Sequence, residues 1–504
     1  MHTPPPAELP DDIEQCHGLI KALAEDNRQL HQRIDYLLRR LFGPRSERLD
    51  PNQLILFAWG QPETAPAEQR SAPPPAEPPR KRPGHGRKRL PADLPRKRIE
   101  HDVAPEHKVC PECGRQKACI GQDVSEQLDY VPASLYVVEH VQLKYACTHC
   151  QEYVSVANKP AQPIDRGLAG PGLLAHVITS KYCDHVPLHR QERILARHGV
   201  DLSRKTLCGW MLTTADRLRC LVDIMKTAVL ESKVIHTDDT PVRVQDHKKN
   251  RITRKAYLWP YVGDAAHPYI VFDYTPTRSR DGPERFLREF RGGPNRPRYL
   301  QCDAFSGYDG LFGNGHHVLE VGCWAHARRK FFEAKDTDPI RGHEALLRIG
   351  KLYEVERDAN ALSAPERHAL RQQRARPLLE DFRTWAGQQR TAVLPKSPIG
   401  KAIGYALGNW LALTRYTDDS DLAIDNHPAE QAVRAIALGR KNWLFLGSDR
   451  GGQAAGIHFS LIASARRHDL DPFAYLNDVL ARIPTHPRRR LHELLPDAWK
   501  QVAP

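Results

Sequence analysis

The order of strands and helices between residues 233 and 438 constrains the fold of this 504-residue chain more than any other feature. Segments rich in β-branched and aromatic residues are predicted to be strands at 233–244, 256–262, 269–274, 298–303 and 317–322. Helical patterns follow at 283–290, from Ser306, and at 431–438. Three strands before the first helix are typical of an RNase H-like core with mixed α/β structure. Residues 336–415 are rich in helix formers and predict an all-helical insertion within it.

Three acidic residues stand where such a core brings its elements together. Asp238 lies in the first strand, Asp303 ends the fourth and Glu430 opens the last helix. Clustered carboxylates repel one another unless cations neutralise them, and hard oxygen ligands select Mg²⁺ or Mn²⁺. Two such ions can activate an attacking oxygen and stabilise a leaving oxygen at phosphorus. The alternative is that each acid is an ordinary solvated side chain. Asp239 is adjacent to Asp238, and strand alternation does not decide which of the two is the first metal ligand.

Two Cys-x-x-Cys pairs predict a structural zinc site in a domain spanning 101–160. Cys110, Cys113, Cys147 and Cys150 supply four thiolates, which form the closed tetrahedral shell typical of structural zinc. Alternating apolar residues between the pairs predict a hairpin. The alternative for the pairs is a redox dithiol. The cysteine pattern does not resemble a secreted disulfide framework and indicates a reducing cytosol.

The N-terminal segment 1–49 is predicted to be a coiled coil. Apolar residues recur in a heptad pattern from Ile13 to Leu41, with Asn27 at a core position. Such a helix would join the chain into a homodimer or higher oligomer. The alternative is a single amphipathic helix that packs on its own protein.

Residues 50–100 are rich in proline and poor in large apolar side chains, which predicts an unfolded linker. The linker ends in a basic run whose candidate DNA contacts are Arg82, Arg87, Lys88 and Arg89. Flexible arginines of this kind can lie in a narrow minor groove. A solvated charge run that raises only non-specific affinity is the alternative.

Residues 161–230 are predicted to form a helical, helix-turn-helix-like DNA-binding domain. One helix spans 188–197, Gly199 follows its end, and Ser203 caps a second helix that is predicted to end at Met211. Arg204 and Lys205 on that second helix are candidate groove contacts. A plain helical hairpin explains the pattern equally well.

The charge balance favours nucleic acid as the partner. The net charge is +13, and no run of about 18 apolar residues is present to cross a membrane. No secretory signal is visible, so we expect a cytoplasmic, nucleoid-associated protein without membrane contact. The basic residues flanking the predicted acids are candidate phosphate contacts: Arg328, Arg329, Arg440 and Lys441. Trp443 is a candidate for base stacking, with core burial as its alternative.

Five motifs from 236 to 448 are similar to those of DDE transposases of the insertion sequence 66 family. They are His-Thr-Asp-Asp-Thr-Pro from 236, Cys-Asp-Ala-Phe-Ser-Gly-Tyr from 302, Cys-Trp-Ala-His from 323, Asp-Asn-His-Pro-Ala-Glu from 425 and Gly-Arg-Lys-Asn-Trp from 439. The family usually has Asp-Glu-Thr where this chain has Asp-Asp-Thr. The resemblance implies a catalytic triad of Asp238, Asp303 and Glu430.

The resemblance further implies a catalytic domain at 231–480 and a C-terminal tail at 481–504. It implies metal-dependent cleavage of DNA at the ends of a mobile element, followed by transfer of the 3′ ends to target DNA. Small accessory proteins of the element are implied partners. Two alternatives remain open at this point. One is a catalytically inactive DNA-binding regulator, and the other is a nuclease of the same fold that cuts without joining.

Overall fold

The computed structural model describes residues 160–165, 167–246, 252–313 and 315–500, with short pieces at 17–18, 27, 135–142, 144–145 and 155–156. The chain divides into two compact units, Met1–Arg45 with Gln142–Pro504 and Ser46–Val141. Of the predicted coiled coil, the structure describes only His17, Gly18 and Asn27, which are helical and exposed. The predicted linker and the four zinc-binding cysteines lie outside the described residues.

Short strands lie on either side of the second cysteine pair. Strand β1, Lys144–Tyr145, pairs antiparallel with β2, Ser155–Val156. Residues 135–142, which contain part of the apolar alternation that predicted a hairpin between the cysteine pairs, contain no strand. Their large apolar side chains are exposed. The alternation of apolar residues therefore predicted the wrong pairing. It can indicate a strand but not the partner strand, which here lies beyond the second cysteine pair.

Three helices precede the main sheet: α1 at Pro171–Tyr182, α2 at Leu188–Arg197 and α3 at Arg204–Leu230. Gly199 has the positive φ of 79° that ends α2, and Ser203 Oγ accepts a hydrogen bond from the Thr206 amide at 3.2 Å. The predicted end at Met211 is wrong, because helix α3 continues to Leu230. Its continuation is stabilised by an apolar stripe that includes Leu218, Leu221 and Met225, all fully buried.

A six-stranded mixed sheet forms the centre of the described structure. Its strands are β3 Val234–Thr237, β4 Thr240–Gln245, β5 Thr253–Val262, β6 Ile270–Thr275, β7 Arg298–Gln301 and β8 Val318–Val321. Strand β5 pairs antiparallel with β3, β4 and β6, whereas β7 is parallel to both β3 and β8. The predicted strand 233–244 is interrupted at Asp238–Asp239, and its two halves pair with the same strand, β5. The spatial order is therefore third, second, first, fourth and fifth of the predicted strands.

Side-chain alternation buries the two faces of the sheet in separate cores. On β3, Val234 belongs to one core and Ile235 to the other, and on β7 Tyr299 and Leu300 divide in the same way. The core that contains Ile235 also contains buried side chains of helices α1 to α3. The predicted helical module 161–230 thus shares a hydrophobic core with the sheet.

Most of the remaining helices follow the last strand, β8. Helix α4, Asp281–Phe286, precedes β7, and a 3₁₀ turn at Ser306–Leu311 precedes β8. The remaining helices are α5 Trp324–Ala334, α6 Pro339–Ala359, α7 Ala364–Leu370, α8 Arg376–Thr391, α9 Pro398–Gly408, α10 Trp410–Thr414, α11 His427–Trp443, α12 Asp449–Arg467 and α13 Pro472–Arg482. A π turn at Arg371–Ala375 joins α7 to α8, and 3₁₀ turns lie at Arg415–Thr417 and Arg488–Leu494. The fold is mixed α/β with many helices, as predicted.

Helix α12 covers the outer edge of the sheet at β6. Gly452, Gly456, Ser460 and Ser464 recur every four residues and form a narrow small-residue face. Ser460 Oγ accepts a hydrogen bond from the Phe272 amide at 2.8 Å. Ser464 Oγ accepts one from the Ile270 amide at 2.9 Å. The helix thus satisfies edge amides that would otherwise be available for pairing with another chain.

No helix in the described part of the chain is both long enough and apolar enough to cross a membrane.

Candidate active site

Two of the predicted acids lie at the carboxyl ends of neighbouring parallel strands. Strands β3 and β7 pair in a register that places His236 opposite Gln301. Asp238 and Asp303 each follow two residues after these partners, so the two acids leave the sheet at the same edge. This is the edge where ligands of parallel sheets bind.

Hydrogen bonds fix the start of α11 against the same strand ends. Asn426 Nδ2 donates to the Thr237 carbonyl at 2.7 Å, and Asn426 Oδ1 lies 3.2 Å from His236 Nδ1. Gln301 Nε2 donates to the Ala423 carbonyl at 2.7 Å. Asn426 and Gln301 are both fully buried. Because Glu430 lies one turn beyond Asn426, these contacts set the position of its carboxylate relative to β3 and β7.

Asp238, Asp303 and Glu430, together called the acidic pocket here, all have pKa values above the ordinary range of their carboxyl groups. Burial raises the pKa of Asp238 to about 8, and Asp303, Asp239 and Glu430 add to the rise. Burial and then Asp239 raise the pKa of Asp303, whereas burial and then Asp425 raise that of Glu430. Asp303 Oδ1 is buried and has no hydrogen-bond partner within the described ranges. A pocket of crowded carboxylates with an unpaired oxygen fits divalent cations, which would replace the missing counter-charge.

The second acid of the Asp-Asp pair has a different partner. Arg278 Nε donates to Asp239 Oδ1 at 2.8 Å, and its Nη2 contacts the same oxygen. Arg278 Nη2 also lies 3.8 Å from Asp303 Oδ2, and the guanidinium lies over the ring of Phe305. Asp238 instead accepts the amide of Asp239 at 2.7 Å. The break in the strand therefore gives the two neighbouring acids different partners, a guanidinium for Asp239 and a backbone amide for Asp238.

Cys323 and His326 lie beside the third acid. Cys323 Sγ is 3.9 Å from Glu430 Oε1, and His326 Nδ1 is 3.5 Å from the same atom. Burial lowers the pKa of His326 to about 4, with Arg329 and Lys330 adding to the effect, so the ring is neutral near pH 7. Both ends of the Cys-Trp-Ala-His motif therefore contact Glu430.

The basic residues predicted around the acids differ in their surroundings. Arg329 and Lys441 are exposed to solvent. Arg440 Nη1 instead donates to Thr240 Oγ1 at 3.0 Å and to the Pro241 carbonyl at 2.8 Å, which ties α11 to β4. Arg328 Nη1 is buried and lacks a hydrogen-bond partner in the described structure.

Trp443 is only 8% exposed and belongs to the core. A Cβ at Gly439 would lie 2.7 Å from Trp443 Nε1, which shows how closely the helix backbone approaches this ring. Base stacking needs an open ring face, so burial corrects that prediction and supports the packing alternative.

The remaining predicted contacts lie farther along the chain. Arg204 and Lys205 are exposed at the start of α3, where Arg204 pairs with Glu192. Exposure leaves both residues accessible to a polyanion. The linker residues Arg82, Arg87, Lys88 and Arg89 fall outside the described residues.

Sequence reasoning missed Arg278, Gln301 and Asn426. Arg278 lies in a loop of a chain with 74 Lys and Arg residues, so composition could not distinguish it. Asn426 could have been noticed, because it stands directly before a predicted helix and four residues before Glu430. Its bond to Thr237 depends on tertiary structure alone.

The sheet, its covering helices and the partly buried carboxylates define a multidomain α/β protein with a candidate cation site at the ends of parallel strands. A family profile described as the IS66 transposase family matches residues 166–454. The chain belongs to this family. Further IS66 profiles match the segment 107–151, described as a zinc-finger binding domain, and 460–496, described as a C-terminal element. A profile described as Transposase C of IS166 homeodomain matches residues 29–99.

The zinc-finger match contains all four cysteines of the two Cys-x-x-Cys pairs and supports structural zinc in that segment. The families matched imply DNA as a partner. Two relatives from Sinorhizobium fredii match almost the whole chain. The uncharacterized protein y4hP is 33% identical over 94% of this chain and 89% of its own length. The uncharacterized protein y4jD is 32% identical over 98% of this chain and 97% of its own length.

Proposed function

We propose that this transposase cleaves DNA at the ends of its element and joins the freed 3′ ends to target DNA, using Asp238, Asp303 and Glu430 as cation ligands in an RNase H-like core. The observation that carries the proposal is the register of β3 and β7, which brings Asp238 and Asp303 to one sheet edge. The Asn426 contact supports it, because that contact fixes the helix of Glu430 at the same edge.

Each residue has a defined task in the proposed reaction. The acidic pocket holds divalent cations, which when bound supply activation of the attacking oxygen and stabilisation of the leaving oxygen. Arg278 neutralises Asp239 and limits repulsion within the pocket before DNA binds. Exposed Arg329 and Lys441 hold phosphates beside the scissile bond. The attacking oxygen belongs to water in the first step and to the freed 3′-hydroxyl in the second.

Asp238 is the preferred first ligand. Within the described residues, Asp238 accepts a hydrogen bond from the neighbouring amide of Asp239, whereas the Asp239 carboxylate is held by Arg278. An acid that already has a guanidinium partner loses that partner's stabilisation if it turns toward a cation. Asp238 loses nothing comparable.

The test is a strand-transfer assay with oligonucleotides that carry the element end, in Mg²⁺ or Mn²⁺. We expect Asp303→Asn to reduce both cleavage and joining by at least about 10³-fold, a loss typical of removing an essential catalytic group. Glu289→Gln, which changes an exposed carboxylate, serves as the matched control and should retain wild-type rates. Joining by Asp303→Asn at the wild-type rate would refute the proposal. Cleavage without joined product in the wild-type protein would indicate a nuclease instead.

A further inference from the structure

A thiol, an imidazole and a carboxylate face a common point beside the acidic pocket. Their donor atoms are Cys323 Sγ, His326 Nδ1 and one oxygen of Glu430, and all lie within 4.8 Å of one another. Two of these separations are 3.9 Å for sulfur to Glu430 Oε1 and 3.5 Å for His326 Nδ1 to the same oxygen. The set combines soft and borderline ligands, unlike the all-oxygen acidic pocket.

The spacing matches the coordination geometry of zinc. Tetrahedral zinc with a Zn–S bond of about 2.3 Å and Zn–N or Zn–O bonds of about 2.05 Å sets sulfur and oxygen about 3.6 Å apart, and nitrogen and oxygen about 3.4 Å apart. The observed separations exceed these values by only a few tenths of an ångström. The third separation, from Cys323 Sγ to His326 Nδ1, is within 4.8 Å, so the three donors are near enough to bind one ion after their side chains adjust.

Local structure explains why the three donors converge. Cys323 is the N-cap of α5, and His326 is the third residue of that helix, so the Cys-x-x-His spacing puts both side chains at one helix end. The Asn426 amide donates to Cys323 Sγ at 3.2 Å, a contact that stabilises a metal-bound thiolate. His326 Nδ1 is buried and accepts no hydrogen bond from any described residue. An unused ring nitrogen directed at a carboxylate is the arrangement expected of an unfilled ligand.

We propose that Cys323, His326 and Glu430 bind one zinc ion, distinct from the ion of the four-cysteine domain. Thiolate and imidazole ligands select zinc over magnesium. The three donors leave the fourth tetrahedral position to a small oxygen ligand such as water. Zinc at this site takes Glu430 away from the acidic pocket, and by this route it inhibits Mg²⁺-dependent cleavage. The inhibitory consequence rests on the proposed function, whereas the binding site itself does not.

Zinc content of the full-length chain tests the site without any activity measurement. The protein is equilibrated with buffered zinc and desalted, and its zinc content per chain is measured by inductively coupled plasma mass spectrometry. We expect the wild type to hold one zinc ion per chain more than Cys323→Ser and one more than His326→Ala. Cys208→Ser is the matched control, because Cys208 is a free, exposed cysteine elsewhere in the chain, and it should keep the wild-type content.

Equal zinc content in the wild type, Cys323→Ser and His326→Ala overturns the proposal. Because Cys323 is fully buried, far-UV circular dichroism is recorded for each variant, and His326→Ala decides the outcome if Cys323→Ser is unfolded. A Co²⁺-substituted sample gives a second readout, since loss of one thiolate–cobalt absorption component in Cys323→Ser identifies sulfur ligation. If wild-type protein shows no DNA cleavage, the proposed function fails while the zinc content still decides the site.

Discussion

Replacing Asn426 with alanine should weaken both the fold and the reaction. The variant loses the 2.7 Å bond from Nδ2 to the Thr237 carbonyl and the 3.2 Å contact with His236. Each bond contributes about 1 kcal/mol, and a buried acceptor left without a donor costs a further 1–3 kcal/mol, approximately. We therefore expect the free energy of unfolding to fall by about 3–5 kcal/mol.

The effect on cleavage should exceed what lost stability alone produces. Because Asn426 holds the start of α11 against β3, its loss frees Glu430 to move relative to Asp238. We expect cleavage to fall by roughly 10²-fold at a temperature where the variant remains folded, as for a catalytic group displaced by about 1 Å.

The assay pairs denaturant unfolding, followed by tryptophan fluorescence, with single-turnover cleavage of an end-containing oligonucleotide. Asn409→Ala is the control, because it also removes a side-chain bond at a helix boundary, from Nδ2 to the Tyr405 carbonyl at 2.8 Å. We expect Asn409→Ala to lose about 1 kcal/mol of stability and to cleave DNA at the wild-type rate. Wild-type cleavage by folded Asn426→Ala would refute the role assigned to this contact.

Three further predictions concern acid stability, packing and cation affinity. Burial lowers the pKa of His458 to about 4, so between pH 6.5 and 4 this ring is protonated in the unfolded chain and neutral in the folded chain. The free energy of unfolding should therefore decrease by up to about 3 kcal/mol as the pH is lowered from 6.5 to 4. In denaturant titrations, His458→Gln should show a weaker dependence on pH. Gly452→Ala places a Cβ 2.3 Å from the Tyr274 ring and should cost about 1–3 kcal/mol, whereas Gly350→Ala, in open space, should cost nothing in the same titrations. Arg278→Ala removes a positive charge from the acidic pocket and should lower the Mg²⁺ concentration for half-maximal cleavage by about fivefold, equivalent to about 1 kcal/mol; an increase would contradict the role assigned to Arg278.

Local chemistry explains what the sequence could predict. Ser203 was identified as a helix cap because serine is a preferred residue directly before a helix. Its Oγ does accept a hydrogen bond from a backbone amide of the first turn. The strands were found because β-branched and aromatic residues cluster between turns. The sequence order of these strands and the acids at their ends then identified Asp238 and Asp303 as neighbours before any register was known.

Tertiary contacts explain what the sequence could not predict. Strand alternation treated 233–244 as continuous, yet the sheet interrupts it where Asp239 turns to Arg278. Arg278 lies about 40 residues beyond Asp239 in the chain, so no local pattern relates them. Trp443 has the amphipathic character of both a stacking surface and a core residue, and only the packing of α11 resolves which role it takes.

The most direct test of the central claim is a crystal structure of the protein with element-end DNA and Mn²⁺, with manganese located by its anomalous scattering. The account predicts manganese peaks at coordination distance from oxygens of Asp238, Asp303 and Glu430, next to the phosphate that is cut. Peaks bound by Asp239 in place of Asp238, or an acidic pocket without manganese while DNA is bound, would contradict it.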